Sequence, residues 1–444
     1  MLLTPVWLAP SGLAPDRMIV VDLGYGAAVA RTNWAGNYTY RAHAIHAPST
    51  LEQLQEIVCT LPRVRVLGSR HSFTDIADSV ELVTLDRMAR DVVVDRDALT
   101  VSCSGAVRYG ELVRELRRER LALANLASLP HISVAGAVST ATHGSGDHNG
   151  NLATAVAGLE IVTSDGNVLT VARRDSDFDG LVVGLGAVGA VARITLDLER
   201  AYQMRQRVFE GLRWEKLLEH FDAITSSGYS VSVFTRWGET VTQVWVKSRV
   251  TEESQEAADG FFGATAATKQ VHPIMGLDPV NCTTQLGVPG PWSERLPHFR
   301  LGFTPSSGAE IQSEYILPRR HAVSAIGAVL RIGSTIRPLV QVSEIRTIAA
   351  DTLWMSPQYG QDTVAIHFTW KPDQERVTRA LVELERILAP FEQRPHWGKL
   401  FLADATTIGS AYERLGDFAR LLDRLDPRGA FRNEWLESRV LGTG

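Results

Sequence analysis

Apolar positions recur at helical spacing behind a capping-type start at Ser49-Thr50-Leu51-Glu52. Leu51, Leu54, Ile57 and Val58 share one face, and Pro62 marks the stop. The alternation Arg63-Val64-Arg65-Val66 then predicts a strand that ends at Gly68-Ser69, with Arg70 and His71 directly after it. Residues 91–105 alternate like a hairpin. Residues 109–123 place Leu112, Val113 and Leu116 on one face of a charged helix, and 159–172 read as a strand pair turned at Asp165-Gly166. A further strand is predicted over 190–200. Past about 201 the texture changes: a helix over 214–228, a strand over 229–237, then a long irregular stretch, 251–310, rich in Gly, Pro and Asn. Strands follow at 343–347 and 365–370, and helical spacing returns at Val377, Leu381, Leu384 and Leu388. Repeats and low-complexity segments are absent. The pattern predicts an α+β protein with a boundary near 200.

Composition narrows the class. A chain of 444 residues with 45% hydrophobic positions can bury a large core and is expected to form two or more domains. Its net charge of −5 argues against nucleic acid as a partner, which needs a basic face. Cys59, Cys103 and Cys282 lack metal-ligand spacing, and so few argue against a disulfide framework; a reducing, cytoplasmic location is expected. No apolar run reaches the ~18 residues of a membrane span. The apolar start "MLLTPVWLAP" lacks a basic flank and is followed by Asp16, Arg17 and Asp22, so residues 1–32 read as an extension rather than a secretion signal.

Three constellations bear on chemistry. "GLGAVG" (184–189) matches G-x-G-x-x-G, but alternation from Val191 to Leu198 predicts a strand after it, where a nicotinamide-binding fold needs a helix. It reads as a close-packed turn whose backbone can still touch a cofactor. Two glycine-rich turns, 66–72 and 128–146, can each wrap an anion, or each be a surface turn. Taken alone, His71 can equally be an ordinary packed histidine. In the C-terminal half, "SEIRT" puts Glu344 and Arg346 on one strand face, "AIHFTW" does the same for His367 and Thr369, and "HWGK" adds His396 and Lys399. One Glu344–Arg346 ion pair would explain the first segment structurally. Together the three favour a pocket for a polyhydroxyl or anionic substrate, because such groups are costly to bury without partners. The signatures of serine hydrolases, zincins, thiol redox centres and P-loops are missing, and no metal site is expected.

The segments "RVRVLGSRHSF", "NLASLPHISVAGAVSTATHGSG", "NCTTQLGVPGPWSERLPHFR", "FTPSSGAEIQSEY", "SEIRTIAAD", "DTVAIHFTW" and "RPHWGK" together resemble the flavoprotein family typified by vanillyl-alcohol oxidase, and within it the alditol and aldonolactone oxidases. The resemblance runs from 32 to 435. It implies a two-part FAD-binding domain (33–200, with 396–444 returning to the flavin site) and an α+β substrate or cap domain with an antiparallel sheet (201–395). The flavin would be held by Val66, Leu67, Gly68, Ser69, Arg70, His71 and Ser72, by Ser128, Ser133, Gly136, Thr140, Ala141, Thr142 and His143, and by Gly189, Val191, His396 and Asn433. His71 would carry a single covalent link, since the 128–136 loop has no cysteine for a second. Ser128, Glu344, Arg346, Thr369 and Lys399 would bind substrate. Lys399, Arg346, Glu344 and His367 would carry the chemistry.

The activity implied is oxidation of the terminal primary alcohol of alditols such as xylitol or sorbitol, with oxygen reduced to hydrogen peroxide; the alternative is an aldonolactone oxidase or dehydrogenase on the same fold. The oligomeric state is left open, a monomer being compatible. One residue departs from the family pattern. Arg70 stands where relatives have glycine, so it costs on the order of 1 kcal/mol if the backbone there is left-handed, or else it pairs with the FAD pyrophosphate.

Overall fold

The computed structural model describes residues 31–251, 260–302 and 309–443, so the N-terminal extension lies outside the described residues except for Arg31 and Thr32. Among the described residues three sheets have three strands or more, beside the two-stranded pair Leu121–Ala122 with Glu199–Arg200. A small parallel sheet takes its strands in the order Ala44–His46, Glu81–Thr84, Val64–Leu67. A five-stranded antiparallel sheet follows the order Val92–Asp95, Thr100–Ser104, Ala190–Asp197, Val156–Val162, Val168–Ala172. A ten-stranded antiparallel sheet is drawn from residues 203–395, and Ser230–Thr235, Val340–Ile348, Thr363–Trp370 and Ile311–Pro318 lie side by side in it.

Alternation decides how the large sheet is used. Ile345, Ile366, Phe368 and Tyr315 point to one side, where they share a core with Val377, Leu381, Leu384 and Leu388 of the Gln374–Leu388 helix and with Ile326 and Val329 of Ala322–Arg331. The intervening residues point the other way, and they are Glu344, Arg346, His367, Thr369 and Glu314. Every residue of Thr363–Trp370 is nonetheless buried, so this polar face is covered rather than solvated. The cover comes from the 128–146 loop in the first half of the chain. Gly146 bridges Ile348, and Ser145 Oγ donates to the Val231 carbonyl.

The C-terminal tail returns to the first sheet. Val64 N donates to Ala430 O at 2.7 Å, and Ala430 and Phe431 pack with Leu54, Val64 and Val83. Arg65, fully enclosed behind the turn, donates to the carbonyls of Phe431, Ile76 and Leu185. One side chain thereby ties the tail to two cavity-lining segments.

Several boundaries differ from the sequence expectation. The first helix is Leu51–Thr60, and its capping box is Thr50 with Gln53: Thr50 Oγ1 accepts from Gln53 N, and Gln53 Oε1 accepts from Ser49 N. Glu52 lies in the first turn, where its own backbone N–H and the Thr50 hydroxyl lower its carboxyl. The helix expected over 214–228 is two pieces, Trp214–Glu219 and Phe221–Thr225, broken at His220 (φ −119°, ψ 27°). The break lets Trp214 and Leu217 on one piece and Phe221 and Ile224 on the other reach one core. The glycine-rich 128–146 segment contains a short helix, Val134–Ser139. "GLGAVG" does precede a strand, Ala190–Asp197.

Candidate active site

The strand Val64–Leu67 delivers the turn, and a serine locks it to the loop downstream. A Cβ on Gly68 or on Gly136 would lie 2.7 Å from Ser133 Oγ, so a side chain at either position would displace that hydroxyl. Ser133 N donates to Ser69 Oγ at 3.0 Å. Next in the chain, Arg70 is left-handed (φ 62°), its carbonyl accepts from Trp34 N at 2.8 Å, and its Nη1 lies 3.4 Å from Thr32 O. The glycine-type backbone is therefore present with an arginine in it. Arg70→Gly is expected to relieve strain on the order of 1 kcal/mol, less what a more flexible unfolded chain takes back. A raised melting midpoint would be the sign of it; a lowered one would mean that the guanidinium's contacts outweigh the strain.

His71 stacks on Trp34 with ring centroids 5.2 Å apart and 21° between planes. Its Nδ1 is enclosed and has no hydrogen-bond partner among the described residues. Burial lowers its pKa to about 4, so the ring is neutral near pH 7. Two residues on, Phe73 N donates to Gly398 O at 2.8 Å, which ties the turn to the His396–Lys399 segment.

On the large sheet the register sets Glu314, His367 and Glu344 in one row across three strands. Glu314, which lies at the centre, receives Arg346 Nη2 at 2.6 Å and Lys399 Nζ at 2.5 Å. Arg346 reaches Glu344 less closely, at 3.7 Å, so the expected Glu344–Arg346 pair is secondary to Glu314–Arg346. Glu344 Oε1 lies 2.8 Å from His298 Nε2. Lys399 Nζ also meets His367 Nδ1 at 2.9 Å, and His367 Nε2 meets Thr369 Oγ1 at 3.0 Å. His143 and His396 stand beside Glu314 with ligand-type atoms within 4.8 Å, but the positive charge there is already supplied by Arg346 and Lys399.

The charges settle one another. Burial would raise the Glu314 carboxyl, and Arg346 and then Lys399 overcome it, holding it well below the carboxylate range. Glu344 is depressed too, because Arg346 and His298 outweigh its burial. Burial pulls Lys399 below the usual lysine range against the attraction of Glu314. His367 falls well below the usual histidine range through burial and the Lys399 charge, and His396 does so for the same two reasons. Two buried carboxylates thus stay ionised beside two cationic groups, one of them weakened.

Both halves line one cavity of about 390 Å³. Val66, Leu67, Gly68, Ser69, Arg70, His71 and Ser72 line it, as do Ser128, Ser133, Gly136, Thr140, Thr142, His143, Gly189, Val191 and His396. Glu344, Arg346, His367, Thr369 and Lys399 line its other part. Ala141 and Asn433 are not among the lining residues. Ala141 is fully buried at φ 51°, and Asn433 Nδ2 donates to the carbonyls of Asp75, Ile76 and Asp78, bracing the segment that lines the cavity. A long cleft, two glycine turns closed on Ser133 and an unpartnered imidazole nitrogen suit an extended dinucleotide such as FAD. The sequence reading missed Glu314 and His298. Alternation of Glu310, Gln312 and Glu314 within "EIQSEY" was the available signal for the first; His298 lies in an irregular stretch with no periodicity to expose it.

Comparison with known proteins places the chain in a family. Residues 42–172 match the FAD binding domain family, and 309–439 match the D-arabinono-1,4-lactone oxidase family. The chain is 47% identical over 418 residues to alditol oxidase of Streptomyces sp. (strain IKD472 / FERM P-14339), covering 93% of this chain and 99% of that one. It is 28% identical to L-gulono-1,4-lactone dehydrogenase of Mycobacterium tuberculosis, again over 93% and 99% of the two chains. Among solved structures, cholesterol oxidase from B. sterolicum shares the fold at 14% identity, with TM-score 0.73 over 92% of this chain and 96% of that one. The two-part flavoprotein fold expected from the sequence is borne out, and the chain belongs to the alditol oxidase family of FAD-dependent oxidoreductases.

Proposed function

We propose that the protein oxidises the terminal primary alcohol of an alditol of the xylitol or sorbitol type to the aldose, with oxygen reduced to hydrogen peroxide. One observation carries this reading. Lys399, Arg346 and Glu344 form a balanced charged set around Glu314, and the Phe73–Gly398 hydrogen bond fastens Lys399's segment to the flavin turn. FAD, when bound, supplies the hydride acceptor. Residues 33–200 and 396–444 hold it, and residues 201–395 supply the substrate face.

At the reacting carbon the hydroxyl must lose a proton as a hydride leaves. Lys399 and Arg346 stabilise the developing alkoxide charge. Burial lowers the Lys399 pKa, so its free-amine form can take the hydroxyl proton and become the ammonium that faces the alkoxide, with His367 Nδ1 2.9 Å away as a relay. Glu344, at the end of the row away from Lys399, accepts hydrogen bonds from the remaining hydroxyls, with Thr369 and Ser128 lining the same cavity, and so fixes the polyol's register.

His71 is the proposed single covalent anchor. Its neutral, unpartnered Nδ1 supports this, and so does the lack of cysteine in 128–136. Acid-denatured protein is expected to stay yellow and to yield a flavin-bearing peptide containing His71; a colourless precipitate with all flavin in the supernatant would refute the link. The few cysteines support a cytoplasmic site of action, and no helix among the described residues is long and apolar enough to cross a membrane. Peroxide release on xylitol and sorbitol tests the activity. A faster reaction on gulono- or galactono-lactone would favour a lactone oxidase, and turnover with an artificial acceptor but not with oxygen would favour a dehydrogenase.

A further inference from the structure

Behind the cavity wall lies a charged group that the proposed chemistry does not use. Lys247, on the strand Gln243–Arg249, is fully buried and is not a cavity-lining residue. Its Nζ has three acceptors: Leu296 O at 2.5 Å, Pro297 O at 3.1 Å and His298 Nδ1 at 3.1 Å. An ammonium has three N–H donors and no lone pair, which suits these three neighbours; burial lowers the Lys247 pKa to about 7 against the pull of the Glu344 charge, so the ammonium prevails below that pH. The imidazole in turn bridges Lys247 to Glu344, its Nε2 2.8 Å from Oε1. Phe234 and Trp245 hold the ring edge-to-face, with centroids 5.3 and 5.4 Å away.

A neutral imidazole presents one N–H and one lone pair. With an ammonium on Nδ1, the lone pair is there and the proton is on Nε2, aimed at a carboxylate. The opposite tautomer would set a lone pair against Glu344 and an N–H against the ammonium, which is unfavourable at both ends. Burial and the Lys247 charge together lower the His298 pKa to about 4, so a doubly protonated ring is also disfavoured near neutrality.

We propose that Lys247 and His298 are positioning residues for substrate recognition. The buried ammonium fixes His298 as the Nε2–H tautomer, and that N–H holds Glu344 as an ionised acceptor in one orientation, with Oε2, 3.7 Å from Arg346 Nε, left to accept from a polyol hydroxyl. This rests on the reading that Glu344 contacts the substrate. Lys247 would act only through His298, and loss of the dyad would weaken ground-state binding more than the chemical step, because Glu344 serves the hydroxyls that do not react.

Two measurements on flavin-loaded protein test it. First, 15N spectra of histidine-labelled protein, with the His298 signal assigned by its loss in His298→Gln, should show a neutral ring protonated on Nε2. Protonation on Nδ1 would overturn the proposal without reference to any substrate. Second, His298→Leu and Lys247→Met should each raise KM for xylitol about tenfold, the worth of one hydrogen bond to a charged group, while kcat changes less than about threefold. His298→Gln, whose amide N–H can still reach Glu344 and cannot change tautomer, should recover most of that loss. A wild-type KM in flavin-loaded His298→Leu, or a His298→Gln as impaired as His298→Leu, would overturn it. Should Lys247→Met fail to fold, the His298 pair decides alone. Glu344→Gln separates the two readings: if it leaves KM unchanged, the substrate role of Glu344 is lost. If it raises KM while His298→Leu does not, only the dyad falls.

Discussion

Lys399→Met is expected to lower kcat on alditols by about a hundred- to a thousandfold, the loss found when one charge-stabilising donor is removed from an enclosed reaction site. The side chain has no other evident duty. Among the described residues its ammonium bonds to Glu314 and His367, and methionine fills a similar volume. Flavin should still bind, because the fastening to the turn is made by the Gly398 backbone, not by the Lys399 side chain. Steady-state rates with flavin content measured in parallel check this. Full activity in the variant would remove both the alkoxide-stabilising and the proton-accepting roles from Lys399.

Glu314→Gln is expected to have the largest effect on stability. The carboxylate is wholly enclosed and is the shared counter-charge of Arg346 and Lys399, at 2.6 and 2.5 Å. The amide has nearly the same shape and no charge, so it leaves Lys399 without its carboxylate partner and Arg346 with only the longer contact to Glu344. Removing one partner from a buried ion pair costs about 3–5 kcal/mol. A urea titration should therefore show a large fall in midpoint without a change of slope. Lys399 should also lose its proton more readily, since the Glu314 charge is the main force opposing its burial. A midpoint close to wild type would mean that the cluster is held by packing rather than by this charge.

How much of this could be read from the chain depends on the residue. Regular alternation made the site strands legible: Glu344 with Arg346 and His367 with Thr369 do share a face, because side chains on a strand alternate whatever the register. What alternation cannot give is which strands are neighbours. Alternation in "EIQSEY" could put Glu314 on a polar face, but not at the centre of the row Glu314–His367–Glu344 that register creates. Arg70 was legible as a question, and its left-handed φ of 62° answers the geometric half of it. Asn433, expected at the cofactor, instead braces the 75–78 backbone, an indirect role that motif matching does not distinguish from contact. His298 and Lys247 were invisible for different reasons. His298 lies in an irregular segment. Lys247 resembles any strand lysine until its burial and three acceptors show otherwise.

The most direct test of the central claim is a steady-state panel on the purified protein, with peroxide measured against oxygen consumed. The account predicts turnover of xylitol and sorbitol with one peroxide formed per alditol oxidised, faster than on any aldonolactone. No turnover of any alditol by flavin-loaded protein, or a clear preference for gulono- or galactono-lactone, would contradict it.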